Sequence, residues 1–173
     1  MQEVSSTTGR VIAVCRNPEP GLPKPVVAEV RLVEDWGVEG DYHAGKFVRH
    51  RYLAKKYPTR RNVRQVLLVD AAAYAELAEQ GRHLEPGMMG ENITIAGLAI
   101  MHLSPGTQLT IGEALLEITE VRKPCKQLNG VEDGLMKAVT ARQDGHNVYK
   151  AGIMTRVLKG GRVQAGDRIS ILA

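Results

Sequence analysis

Past Pro86 the chain is cut by glycine into short runs, and that punctuation restricts it to strands joined by tight turns. Gln108–Ile111, Ala114–Val121, Gly152–Leu158 and Arg168–Leu172 are rich in branched apolar residues, and Gly112-Glu113, Gly160-Gly161 and Gly166-Asp167 break them up. Earlier, Arg10–Cys15 reads as a strand that the four prolines between Asn17 and Pro25 cannot continue. Val26–Glu34 alternates, with Ala28, Val30 and Leu32 on one face, and Gln65–Val69 is a further short strand. Two stretches carry helical spacing instead: Ala71–Gln80, capped by Asp70 and ended by Gly81, and Gly134–Arg142, capped by Asp133. Helix and strand do not alternate as they would in a doubly wound sheet. The pattern predicts one mainly β domain, a barrel or sandwich with two peripheral helices.

The 173 residues leave room for one core, and with only seven aromatic residues that core must be aliphatic. Residues 1–9 are expected to be a flexible tail, and 10–173 a single domain. No apolar run approaches the ~20 residues of a membrane helix. The polar start has neither the basic nor the apolar part of a secretory signal, so the expectation is a soluble cytoplasmic protein with no membrane partner. Cys15 and Cys125, 110 positions apart, are expected to be separate reduced thiols.

The net charge of +4 is unevenly placed. Lys46, Arg49, Arg51, Lys55, Lys56, Arg60, Arg61 and Arg64 put eight cations in nineteen positions without a carboxylate, leaving 15 cations against 19 carboxylates elsewhere. Such a segment repels itself unless an anion or an acidic face offsets it, and the interleaved His50, Tyr52 and Tyr57 would suit stacking on bases. A solvated loop is the plain alternative.

Three clusters carry chemistry. In Val38-Glu39-Gly40-Asp41-Tyr42-His43-Ala44-Gly45-Lys46, Asp41 and His43 share a direction if the segment is extended, either as a functional pair or as a structural hydrogen bond. In Pro86-Gly87-Met88-Met89-Gly90-Glu91-Asn92-Ile93-Thr94, a tight loop can cradle an anion, with Asn92 and Thr94 on one face of a following strand. It lacks the lysine and hydroxyl ending of a nucleotide-binding P-loop. In Arg122-Lys123-Pro124-Cys125-Lys126, three cations favour the thiolate of Cys125, and Pro124 ends the strand before it, so this cysteine reads as reactive. Cys15, ending an apolar strand, reads as a buried side chain. Neither the histidines nor the cysteines have the spacing of a standard zinc site, although one thiolate suffices for a metal delivered inside an organic cofactor. A Cys125-His43-Asp41 hydrolase is a weak alternative.

Taken in order, Gly40-Asp41-x-His43-x-Gly45, Pro86-Gly87-x-x-Gly90-Glu91-Asn92-x-Thr94, Arg122-x-Pro124-Cys125 and Gly152 through Arg156-Val157-Leu158 to Gly166-Asp167 resemble the MOSC family, the domain named from the C-terminal part of molybdenum cofactor sulfurase. The resemblance runs from Arg10 to Leu172 and implies a closed, mainly antiparallel β-barrel with a few helices. It implies binding of the molybdenum-pterin cofactor (molybdopterin), with Cys125 as the sulfur ligand to the metal or as a persulfide carrier. Asp41 and His43 would handle protons beside the metal, and Asn92 and Thr94 would hydrogen-bond the pterin. The terminal phosphate would seek cations such as those of the 46–64 loop, Lys46 and Arg49 among them, or Arg122 and Lys123.

The sequence departs from the family pattern at Met89, where phenylalanine is usual. Two cysteines are too few for an iron-sulfur module, and the expectation is a chain without the N-terminal extension of the mitochondrial amidoxime-reducing enzymes or the pyridoxal-phosphate desulfurase region of the sulfurase. Electrons or sulfur would therefore come from a separate electron-donor protein or cysteine desulfurase. Three functions follow as expectations: a molybdenum-dependent reductase of small N-hydroxylated compounds, a sulfur carrier with a persulfide on Cys125, and a nucleotide or nucleic-acid binding module using the 46–64 stretch.

Overall fold

A computed structural model describes residues 6–173. In chain order its elements are β1 (Thr8–Cys15), β2 (Val26–Val27), β3 (Glu29–Val33), β4 (Gly37–Val38), α1 (Arg51–Lys56), β5 (Val66–Asp70), α2 (Ala71–Glu79), β6 (Ile93–Ala96), β7 (Gln108–Ile111), β8 (Ala114–Val121), α3 (Leu128–Val131), α4 (Leu135–Ala138), β9 (Thr140–Gln143), β10 (His146–Tyr149), β11 (Ile153–Lys159), β12 (Gly161–Gln164) and β13 (Arg168–Ile171). Seven strands in the order β13-β7-β8-β11-β5-β6-β1 close into a barrel through pairing of β13 with β1. Closure removes the free edges that an open sheet would expose. Strand β2 extends β1, β12-β3-β4 form a separate three-stranded sheet, and β9-β10 form a hairpin.

The period-2 pattern sets which side chains fill the barrel. On β8, Ala114, Leu116 and Ile118 are buried while Leu115, Glu117 and Thr119 face outward. With Val66, Leu68, Ile93, Ile95, Leu109, Ile111, Ile153, Val157 and Ile169 they build the interior, each Leu or Ile contributing about 1.5–3 kcal/mol of hydrophobic burial. A second cluster lies outside the barrel, where Leu77 of α2, Leu128 of α3, Leu135 of α4 and Val139 pack on Val69, Met89 and Ala151.

Several expectations are corrected. Thr8 and Gly9, placed in the tail, pair with Ser170 and Ile169 of β13; residues 1–5 of that tail lie outside the described ones. The run from Val26 to Glu34 bends at an exposed Ala28, so that β2 pairs with β1 while β3 pairs with β12. Strands β5 and β6 run parallel, with α2 in their crossover, giving one βαβ unit in an otherwise antiparallel barrel. Asp70 caps α2 as expected, its carboxylate accepting from the Ala72 amide at 2.9 Å. The helix expected over Gly134–Arg142 stops at Ala138, because residues 140–143 pair with β10; its N-cap is Gly134 in the left-handed region, not Asp133. The basic stretch, expected to be one long loop, contains α1.

Candidate functional site

The segments that enter and leave the barrel at β1, β5, β6 and β8 converge on a narrow cleft of about 50 Å³ that opens to solvent. Lys24, His43, Arg49, His50, Arg64, Asn92, Arg122 and Cys125 line it, with Leu22, Val48, Leu67 and Met154 as apolar walls. No carboxylate is among its lining residues.

Arg122 follows β8 and is 7% exposed. Its Nη1 donates to the carbonyls of Met89 at 2.8 Å and Ala151 at 3.2 Å. Neither contact neutralises it, so a guanidinium charge stands in the wall with no carboxylate in ion-pair contact, offset only at longer range by the buried Glu91. Burial pulls its pKa down from the usual arginine value. Arg64 reaches the same cleft and pairs with Glu120 on its far side, while its Nε is buried without a partner. His50 Nδ1 is likewise buried and unpaired; burial first, then the charge of Arg64, holds this histidine down to about 4. Two orphaned polar atoms beside a guanidinium that no carboxylate pairs fit a ligand that brings hydrogen-bond acceptors.

The pair Asp41 and His43 belongs to a larger arrangement centred on Lys24, which is 3% exposed. Lys24 Nζ donates to Asp41 Oδ2 at 2.9 Å and meets His43 Nδ1 at 3.3 Å. The Asn17 and His43 amides also donate to the Asp41 carboxylate, at 3.0 and 3.1 Å. Burial raises the Asp41 pKa, but His43, the Lys24 ammonium and the Asn17 amide outweigh it and hold the carboxyl well below the usual range. Burial lowers Lys24, with the Asp41 charge opposing, and it lowers His43 as well. An ammonium only donates, so His43 Nδ1 accepts and the ring carries its proton on Nε2.

Cys125 lies between Pro124 and α3, half-buried on the cleft, and its carbonyl accepts from the Leu128 amide at 3.1 Å. Cys15 is fully buried, as expected, and burial, reinforced by the Glu91 charge, pushes its thiol up to about 12. Among the described residues no group of three or more His, Cys, Asp or Glu is placed to hold a metal ion. A metal here would arrive in a cofactor that brings its other ligands.

The structure thus joins His43, Arg49, Asn92, Arg122 and Cys125 on one surface and separates the other candidates from it. Asp41 stands behind Lys24 and does not line the cleft. Thr94, also expected against the pterin, is 0% exposed and donates to Glu91 at 2.8 Å, because the face it occupies points inward. Lys46 and Lys123 are exposed and do not line the cleft. Asn92 is at the cleft but largely engaged, accepting from the Leu67 amide at 3.2 Å and donating to the Cys15 carbonyl at 3.2 Å. The cations of 46–64 are partly spent within the fold: Arg61 pairs with Asp35, and Arg60 stacks 3.9 Å from the centre of the Tyr57 ring.

Sequence reasoning missed Lys24 and met His50 and Arg64 only as members of the basic stretch. The one local signal for Lys24 is its place between Pro23 and Pro25, which fixes the backbone on both sides of a single cation.

The sequence matches the MOSC domain over residues 40–170. The uncharacterized protein YflK of Bacillus subtilis is 32% identical over 95 residues, 53% of this chain and 40% of that protein, so the match spans less than half of the relative's length. The YuaD protein from Bacillus subtilis has a similar fold, with a TM-score of 0.78 at 18% identity, covering 95% of both chains. YiiM from Geobacillus stearothermophilus superposes with a TM-score of 0.62 at 20% identity over 97% of this chain and 75% of that one. For YiiM from Escherichia coli the values are 0.65, 21%, 97% and 71%. No helix among the described residues is long and apolar enough to cross a membrane. This chain belongs to the MOSC domain family, which is associated with molybdenum cofactor binding.

Proposed function

We propose that the cleft holds a molybdenum-pterin cofactor with Cys125 as its protein sulfur ligand, and that the chain reduces small N-hydroxylated compounds with electrons from a separate protein. The observation that carries this reading is the meeting of a half-buried thiol and a buried guanidinium without a carboxylate on one cleft. A soft thiolate suits a thiophilic metal, and Arg122 and Arg64 suit the cofactor's phosphate. When bound, the cofactor supplies the two-electron redox chemistry that removal of an N-hydroxyl oxygen requires. The chain's own residues do the rest. Leu22, Val48, Leu67 and Met154 keep water from the inner wall, and His43 offers its Nε2 proton to a group bound in the cleft.

The test is elemental analysis for molybdenum and pterin fluorescence on protein made in a cofactor-competent host, for the native chain, Cys125→Ala and Arg122→Met. Native protein should carry the metal, with both variants depleted at least about tenfold. Equal molybdenum in Cys125→Ala overturns the ligand assignment.

The exposed side of Cys125, which also lines an outer chamber, favours a second reading, a sulfur carrier that accepts a sulfane sulfur from a desulfurase persulfide. Incubation with a cysteine desulfurase and cysteine would then add ~32 Da at Cys125, seen by mass spectrometry. For a nucleic-acid module, binding to generic RNA or DNA would weaken steeply with salt.

A further inference from the structure

The basic stretch folds as one loop closed at its base. The Val48 amide donates to the Arg60 carbonyl at 2.9 Å and the Asn62 amide to the Lys46 carbonyl at 3.0 Å, with α1 in the part between. Of its eight cations, Arg61 and Arg64 pair with carboxylates. Lys46, Arg49, Arg51, Lys55, Lys56 and Arg60 are exposed and have no ion pair among the described residues. The chain has no Asp or Glu between Asp41 and Asp70, and α1 has no buried side chain to offset the repulsion among these cations.

Two features make this surface one for a protein. Phe47, Tyr52, Tyr57 and Val63 stand exposed among the cations, and rings beside arginines are what protein interfaces concentrate at their centres. Each ring also has a cation of this chain over it. Lys46 lies 5.4 Å from the centre of Phe47, Lys56 5.8 Å from Tyr52 and 5.3 Å from Tyr57, and Arg60 3.9 Å from Tyr57. Rings engaged in this way are less open to stacking between bases, while the cations over them are held in place. Position gives the partner's task. Arg51 and Tyr52 of α1 line the outer chamber together with Cys125 and Lys126, so a protein that covers α1 covers the outer approach to that thiol. Cys15 is fully buried, which leaves Cys125 without a second thiol on the surface to share a two-electron change.

We infer that α1 and its flanking cations are the docking surface for an acidic electron-transfer protein, one that presents carboxylates around its own redox group. The inference names the partner of the proposed reduction and rests on that reading for the donor's task. In each turnover the donor gives up two electrons, two protons come from solvent, and the N-hydroxyl oxygen leaves as water. The docking itself involves protein alone.

The test pairs the full chain, purified without cofactor, with flavodoxin, an acidic flavoprotein. Titration calorimetry should show binding whose affinity falls at least about tenfold between roughly 20 and 200 mM salt, and bound flavodoxin should protect Cys125 from alkylation by a maleimide. Arg51→Glu/Lys55→Glu/Lys56→Glu should weaken binding at least about tenfold more than Arg10→Glu/Lys159→Glu/Arg168→Glu, which changes the net charge equally at exposed, unpaired cations of the barrel strands. The milder Arg51→Gln/Lys55→Gln/Lys56→Gln should melt with the native protein and keep the same order of affinities. Equal losses in the two Glu triples reduce the attraction to net charge and overturn the inference. No binding at low salt, or binding that leaves Cys125 alkylation unchanged, overturns it too. So does poly(U) RNA that binds more tightly than flavodoxin and is lost in the α1 triple, which makes the surface one for nucleic acid. Molybdenum content in protein from a competent host separates the two failures. Metal-free native protein that still docks flavodoxin over Cys125 defeats the proposed function and leaves the docking surface standing; metal-loaded protein that ignores flavodoxin does the reverse.

Discussion

Lys24 holds one end of a buried chain of polar contacts, and its removal tests more than stability. Lys24→Met leaves the Asp41 carboxylate buried with backbone amides alone, which should cost about 3 kcal/mol in denaturant unfolding. It also takes away the donor that fixes the His43 ring. In native protein, ¹⁵N NMR of His43 should show the Nε2–H tautomer, and in Lys24→Met a mixture; an unchanged tautomer would mean that Lys24 does not set it. His50 predicts a pH dependence. Its pKa falls from 6.5 to about 4 in the folded chain, so between those values the unfolded chain binds a proton that the folded one does not. Stability should therefore fall as pH drops through that window. The melting temperature of His50→Gln should decline less over that window than that of the native protein. These residues were unevenly legible. Cys125 announced itself by three flanking cations, whereas Arg64 looked like one cation among eight until the fold turned its Nε inward.

At the level of elements, the loop before β6 is built around close approach. Gly87 has φ of 90°, and a Cβ there would collide with the carbonyl of Lys24, whose own amide donates to the Gly87 carbonyl at 2.9 Å. Gly87→Ala should push the 22–25 segment outward, destabilise the chain by about 1–3 kcal/mol and reduce molybdenum retention together with Lys24→Met, as read by thermal melting and elemental analysis. Helix α2 offers a contrast remote from the cleft. Asp70→Ala removes only its cap and should cost about 1 kcal/mol with metal content unchanged. Strands and α2 were readable because their signals are local, a period of two or a capped alanine-rich run. Helix α4 was overextended because Thr140–Gln143 has no strong local preference, and pairing with β10 decides its conformation.

For the molecule as a whole, closure of the barrel makes the core cooperative and fixes where its mouth opens. Leu116→Ala, fully buried on β8, should cost about 2–5 kcal/mol with no change in the slope of urea unfolding. The sequence alone determined the mainly β character, the aliphatic core and the inventory of reactive groups, because alternation, turn residues and side-chain chemistry are local properties. Only the tertiary structure decided which of those groups meet. A one-residue step turns a side chain to the opposite face, which is why Arg122 reaches the cleft while Lys123 does not; Asn92, just before β6, reaches it, whereas Thr94, two residues on within the strand, is buried against Glu91. Long-range pairing likewise seated Lys24 between Asp41 and His43, a contact across 17 positions that no periodicity encodes.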